Sequence, residues 1–151
     1  MTIEQERKRI LLVCSGNTCR SPMAKVILEQ KLKERGQLDR FEIVSAAFGN
    51  PTYDVASEYA RAAIKQIYGQ DLLVAHKSKK LTDELTEQAD IILAMTGAIK
   101  KGLQPEKSWM LKEYAGSSGD ISDPHGGNLE RYLECAREIS DLMDRIVTKL
   151  G

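Results

Sequence analysis

The segment Cys14-Ser15-Gly16-Asn17-Thr18-Cys19-Arg20-Ser21-Pro22 sets a thiol and a guanidinium six residues apart in one short stretch. Cysteine is a strong nucleophile only as its thiolate, and arginine presents a planar fork of donors that matches two oxygens of a tetrahedral phosphate. Between them, Gly16 and Asn17 are residue types that tolerate left-handed backbone angles, which let consecutive amides turn inward as an anion-binding nest. Ser21 suits an N-cap and Pro22 the first helical position, so the segment is expected to end at a helix N-terminus whose unpaired N–H groups face the same spot. The backbone of Ser15, Gly16, Asn17, Thr18 and Cys19 would then hold an oxyanion and Arg20 would clamp it. Cys14, in the same positive field, would attack phosphorus.

Other chemistries fit these residue types less well. Neither GxxxxGK(S/T) nor GxGxxG occurs in the chain, which removes the common nucleotide-binding loops. Cys14, Cys19, His76 and His125 have the side chains of a zinc site, but Cys-x4-Cys is a loose spacing with no paired histidines, so neither a metal nor a cofactor is expected. Cys14 as no more than a small buried residue at a strand end is the competing structural explanation. The Gly, Arg, Ser and Pro around it weigh against that.

For such a loop to work, a strand must deliver Cys14 and a helix must receive Arg20. Arg9–Val13 is a short, fully apolar strand, and behind the loop Met23, Ala24, Ile27, Leu28 and Leu32 recur at helical spacing until Gly36. Phe41–Ser45 reads as a second strand. Val55, Tyr59, Ala62, Ala63, Ile64 and Ile67 are expected to line one face of a second helix, bracketed by Pro51 and Gly69. Thr82, Leu85 and Ala89 mark a short helix, Ile91–Ala94 a buried strand, Ala98–Leu103 a helical turn or two, and Trp109–Leu111 a last strand. Ala115–Gly127 is a long Gly/Ser/Asp loop, and Asn128–Leu150 carries the apolar stripe of a long amphipathic helix. Alternating helices and short, continuously apolar strands predict an α/β fold in three layers, with about four parallel strands at its centre and helices on both flanks. In such sheets ligands bind beyond the carboxyl ends of the strands, where the Cys14 loop lies.

At 151 residues, 42% hydrophobic and 29% charged, the chain has the balance of one globular domain spanning 1–151, with neither repeats nor low-complexity tracts. Lys+Arg and Asp+Glu are both 22, so no net field pulls the protein onto nucleic acid or an anionic membrane, and neither is expected as a partner. The polar start and the short apolar run behind it match no secretory leader or membrane span. Three cysteines, an odd number, argue for thiol chemistry in the cytoplasm over a disulfide framework. Oligomeric state is not legible.

The loop, with Asp123-Pro124 about a hundred residues later, resembles the signature pair of the low-molecular-weight protein tyrosine phosphatases, and the likeness spans essentially the whole chain. It implies that Cys14 attacks phosphorus, Arg20 stabilises the equatorial oxygens, and Asp123 protonates the leaving group before activating water against a phosphocysteine. It implies further that Ser21 hydrogen-bonds the thiolate, and that Asn17, Ser45 and His76 form a network holding the loop. Phosphorylated proteins would be the partners. The thiol-coupled arsenate reductases share the loop but need two further cysteines, and only Cys135 is available beyond it.

Within that family Thr18 points to substrate. Tyrosine-directed members usually carry an aliphatic residue there, whereas the arginine phosphatases carry Thr; Leu93–Thr96, Leu111–Tyr114 and the glycines after Asp123-Pro124 also resemble the arginine phosphatases. The resemblance therefore implies hydrolysis of phosphoarginine on proteins, with Thr18 narrowing the slot that a phenyl ring would need. Phosphotyrosine is the alternative within the fold, and a non-catalytic phosphate-binding module the alternative outside enzymology. His125 stands where an aromatic wall residue is usual, and Ala47 where a glycine is. Cys19, five residues from Cys14, either bridges an oxidised Cys14 as a redox shield or packs beneath the loop.

Overall fold

A computed structural model of the chain describes residues 7–151; residues 1–6, part of the polar start that argued against a leader, lie outside the described residues. Four strands, β1 (Lys8–Cys14), β2 (Phe41–Ala47), β3 (Ile91–Ala94) and β4 (Ser108–Met110), pair in parallel in the order β2-β1-β3-β4. The helices are α1 (Arg20–Glu34), α2 (Glu58–Tyr68), α3 (Asp83–Gln88), α4 (Gly97–Lys100), α5 (Leu111–Tyr114) and α6 (Leu129–Leu150), with a 3-10 turn at Leu38–Arg40. The expected α/β architecture and its four parallel strands are present. Among the described residues no helix is long and apolar enough to cross a membrane.

The central strand explains the layering. Successive side chains of a strand point to opposite faces, and in β1 Ile10, Leu12 and Cys14 join the core beneath α1, α2 and α6. Leu11 and Val13 join a second cluster with Ala94, Ile99, Leu103 and the partly buried Leu85, on the side of α3 and α4. Every residue from Ile10 to Val13 is fully buried, as a strand covered on both faces must be. Because the chain leaves β1 in one direction to reach β2 and later places β3 on β1's other side, the order reverses beside β1. A crevice opens there at the carboxyl ends of β1 and β3.

Three readings of the elements need correction. Val55, Tyr59 and Ile67 do not line a buried face: they are exposed, and of the expected face α2 buries Ala63 and Ile64, together with Ala60. The small alanines let α2 lie close to its neighbours, while the Tyr59 ring leans on Tyr132 of α6 at a centroid distance of 5.7 Å. Leu111 does not end the last strand; it opens α5, a turn of helix that the sequence did not signal. Ser21 is not the N-cap of α1, since the helix begins at Arg20 after Cys19 and has no side-chain cap.

Candidate active site

β1 ends at Cys14, and residues 15–19 curl over the N-terminus of α1. The floor of this loop is tied down by backbone: Phe48 N donates to the Cys14 carbonyl at 2.8 Å and Gly49 N to that of Ser15 at 3.1 Å, which fastens it to the chain leaving β2. The Cys14 Sγ lies 2.9 Å from Ser21 Oγ, and the Asn17 amide donates to the same sulfur at 3.3 Å. Ser21 therefore spends its hydroxyl on the thiol, which is why it caps nothing.

Asn17 takes the left-handed conformation (φ 57°), whereas Gly16 does not. Asn is among the few non-glycine types that take this conformation readily, and its surroundings overdetermine it. The Asn17 Nδ2 donates to Ser21 Oγ at 2.8 Å and Ser45 Oγ at 3.0 Å, and its Oδ1 accepts from Lys79 N at 3.1 Å. Its carbonyl accepts from His76 Nε2 at 2.8 Å and Ser78 Oγ at 2.9 Å. Since a carbonyl only accepts, His76 Nε2 carries the proton. Burial holds the His76 ring below its ordinary range, and Lys25 and Lys79 act in the same direction against the hydrogen bond to Asn17. Asn17 itself is fully buried beneath the loop, and its side chain forms no part of the cleft wall.

Arg20 is buried and joins two segments a hundred residues apart. One terminal nitrogen donates to the Ile121 carbonyl at 2.8 Å; the other reaches Ser15 Oγ at 3.2 Å and lies 3.6 Å from Asp123 Oδ2. The loop bearing Asp123 is pinned in turn to the sheet, because Ile121 N donates to the Met95 carbonyl just after β3 at 2.8 Å. Asp123 Oδ1 accepts from the His125 amide at 3.0 Å, a turn of the kind Asp makes with the backbone two residues on.

Cys14, Ser15, Gly16, Thr18, Cys19, Arg20, Asp123 and His125 thus line one cleft of about 220 Å³. Ser21, Ser45 and His76 sit under the loop as its support. Sequence reasoning missed Thr52 and Tyr53, which complete the wall; the available signal was their place in a Pro-containing loop just beyond the carboxyl end of the second strand. All three cysteines are free thiols. Cys135 does not line the cleft, and burial pushes its thiol up to about 12, so it stays protonated. A thiol, a buried guanidinium and a half-exposed carboxyl therefore share one small cleft.

Residues 9–151 match the profile of the family described as low molecular weight phosphotyrosine protein phosphatase. A protein-arginine-phosphatase of Geobacillus stearothermophilus is 38% identical over 149 residues, which cover 94% of this chain and 95% of that protein. The crystal structure of a low molecular weight protein tyrosine phosphatase from T. tengcongensis superposes with a TM-score of 0.87 at 38% identity, over 94% of this chain and 99% of that one. A cysteine-to-serine mutant of the YwlE arginine phosphatase, with a phosphorylated active-site serine, superposes with a TM-score of 0.86 at 33% identity, over 94% and 95% of the two chains.

Proposed function

The chain belongs to the low molecular weight phosphotyrosine protein phosphatase family, and from that premise we propose that it hydrolyses phosphoarginine on proteins through a phosphocysteine intermediate on Cys14. The observation that supports this most is the meeting of the Cys14 thiol, the Arg20 guanidinium and the Asp123 carboxyl on one cleft. In the first step the Cys14 thiolate attacks phosphorus and the P–N bond breaks, while Arg20 and the loop amides hold the oxygens and protonated Asp123 gives its proton to the departing guanidine nitrogen. In the second step Asp123 takes a proton from water, water attacks phosphorus, and the S–P bond breaks to return the thiolate. Ser21 Oγ, 2.9 Å from the sulfur, stabilises the thiolate as it leaves. The relative with a phosphorylated active-site serine supports a covalent route.

Phosphoarginine is favoured by Thr18 on the wall and by the Geobacillus relative's activity. Once it has given up its proton, the Asp123 carboxylate can pair with the guanidinium that leaves. Phosphotyrosine is the second reading; the aromatic ring of Tyr53 on the wall and the T. tengcongensis relative favour it. A cytoplasmic setting belongs to the same proposal and rests on the three free thiols, which a reducing compartment keeps open.

Matched peptides carrying phosphoarginine or phosphotyrosine separate the two readings. The wild type is expected to show the higher kcat/KM on phosphoarginine, and Thr18→Ile to lose that activity while gaining on phosphotyrosine. Unchanged selectivity in Thr18→Ile would move the assignment to tyrosine. A protein that hydrolyses neither peptide, nor p-nitrophenyl phosphate, would be a binding module.

A further inference from the structure

Cys19 leads from the cleft into a buried polar cluster that the phosphoryl transfer leaves unused. Its Sγ lies 3.5 Å from Ser57 Oγ, 3.5 Å from the Tyr132 hydroxyl and 3.6 Å from Thr18 Oγ1. Tyr132 belongs to α6 and is almost fully buried; burial, reinforced by the hydrogen bond to Cys19, pushes its hydroxyl up to about 12, so it remains a donor throughout the working pH range. Ser57 caps α2, its Oγ accepting from Ala60 N at 3.2 Å, and its own amide donates to the Thr18 carbonyl at 2.9 Å. Thr18 is therefore gripped twice, by its carbonyl through Ser57 and by its hydroxyl through Cys19.

A threonine side chain occupies staggered rotamers that exchange the places of its hydroxyl and its methyl. On a surface loop these would interconvert freely. Here the contact with Cys19 selects one of them, and Tyr132 and Ser57 orient the thiol that makes the contact. The Tyr132 ring is held independently against Tyr59, so the hydroxyl can be removed without releasing the ring. We propose that Tyr132, acting through Cys19, is a positioning residue for substrate selection: it fixes which face of Thr18 the substrate side chain meets. This rests on the reading of Thr18 as the filter.

Tyr132→Phe tests it. Three quantities are measured on wild type and variant: kcat/KM on a phosphoarginine peptide, kcat/KM on the matched phosphotyrosine peptide, and the inhibition constant of inorganic phosphate, which reports the loop amides and Arg20. Loss of one hydrogen bond is expected to move the ratio of the two kcat/KM values roughly three- to tenfold. The phosphate constant is expected to stay within about twofold. In a Thr18→Val background, where no hydroxyl remains to be positioned, Tyr132→Phe is expected to leave the ratio where Thr18→Val alone puts it. An unmoved ratio in Tyr132→Phe overturns the proposal, as does the same shift appearing in both backgrounds. A general weakening that includes inorganic phosphate assigns Tyr132 a structural role only and also overturns it. The wild-type ratio by itself judges the phosphoarginine reading, whereas only the change in that ratio judges Tyr132, so the two can fail separately.

Discussion

At the scale of single residues, the proposed division of labour between Cys14 and Asp123 follows from what each can hold. A thiolate is available near neutral pH and an alkoxide is not, so Cys14→Ser is expected to show no measurable turnover with p-nitrophenyl phosphate while still binding inorganic phosphate. Asp123→Asn keeps the shape of the turn with His125 but has no proton to give. Its kcat is expected to fall by about 10²–10⁴-fold with little change in the phosphate inhibition constant, because the proton matters only in the transition state. Comparable losses in both measurements would mean that Asp123 acts chiefly as the structural partner of Arg20, 3.6 Å away. The residue types alone pointed to Cys14 and Arg20. They misjudged Ser21, whose hydroxyl faces a choice between a helix amide and the thiol: Ser21 lies seven positions after Cys14, and only the curl of the loop brings the two to 2.9 Å.

At the scale of elements, the segment from Ser122 to Asn128 must carry Asp123 to the cleft and then start α6 within a few residues. Gly126 supplies the left-handed turn (φ +84°), and Gly127 supplies clearance. A Cβ on Gly127 would stand 2.9 Å from Arg131 Cγ and 3.0 Å from the Pro124 carbonyl oxygen, closer than either can accept without movement. Relief on the Pro124 side displaces the turn that holds Asp123. Gly127→Ala is accordingly expected to lower kcat by about tenfold, since small misplacements of a reacting group are costly, and to leave phosphate inhibition nearly unchanged. Wild-type kcat in Gly127→Ala would show that the turn accommodates the methyl without displacing Asp123. The α6 stripe was legible from its spacing because a helix of 22 residues repeats its buried face over many turns, against α1, α2 and α5. The α2 face was legible only at Ala63 and Ile64, because Tyr59 and Ile67 sit at the correct period but the side that buries is chosen by contacts with α6.

At the scale of the molecule, the loop is held in place by parts of the chain distant in sequence, and His76 makes that support sensitive to acid. Burial holds its folded pKa below the unfolded value of about 6.5. Between the two values the unfolded chain binds more protons, so stability rises with pH there; the contribution is complete above about 6.5 and is lost as pH falls below it. Lys25 and Lys79, the charged groups acting on the ring, push its pKa in the same direction as burial. The wild-type Tm is expected to drop more between pH 7.5 and 5.5 than that of His76→Gln, which cannot take up the proton. Parallel curves for the two proteins would remove His76 as the source.

The strand–loop–helix around Cys14, the parallel α/β class and the pairing of Cys14 with Arg20 were written in the order of residues, since these depend on local periodicity and on residues close together in the chain. Asp123, Ser45 and His76 were legible only through resemblance to a family. Tertiary structure alone decided that Thr52 and Tyr53 complete the wall, that Asn17 lies beneath the loop instead of on the cleft, and that Tyr132 and Ser57 reach Thr18 through Cys19. Those relations join residues up to 113 positions apart. No local pattern encodes them, because a side chain's partners across a core are set by how whole helices seat on the sheet.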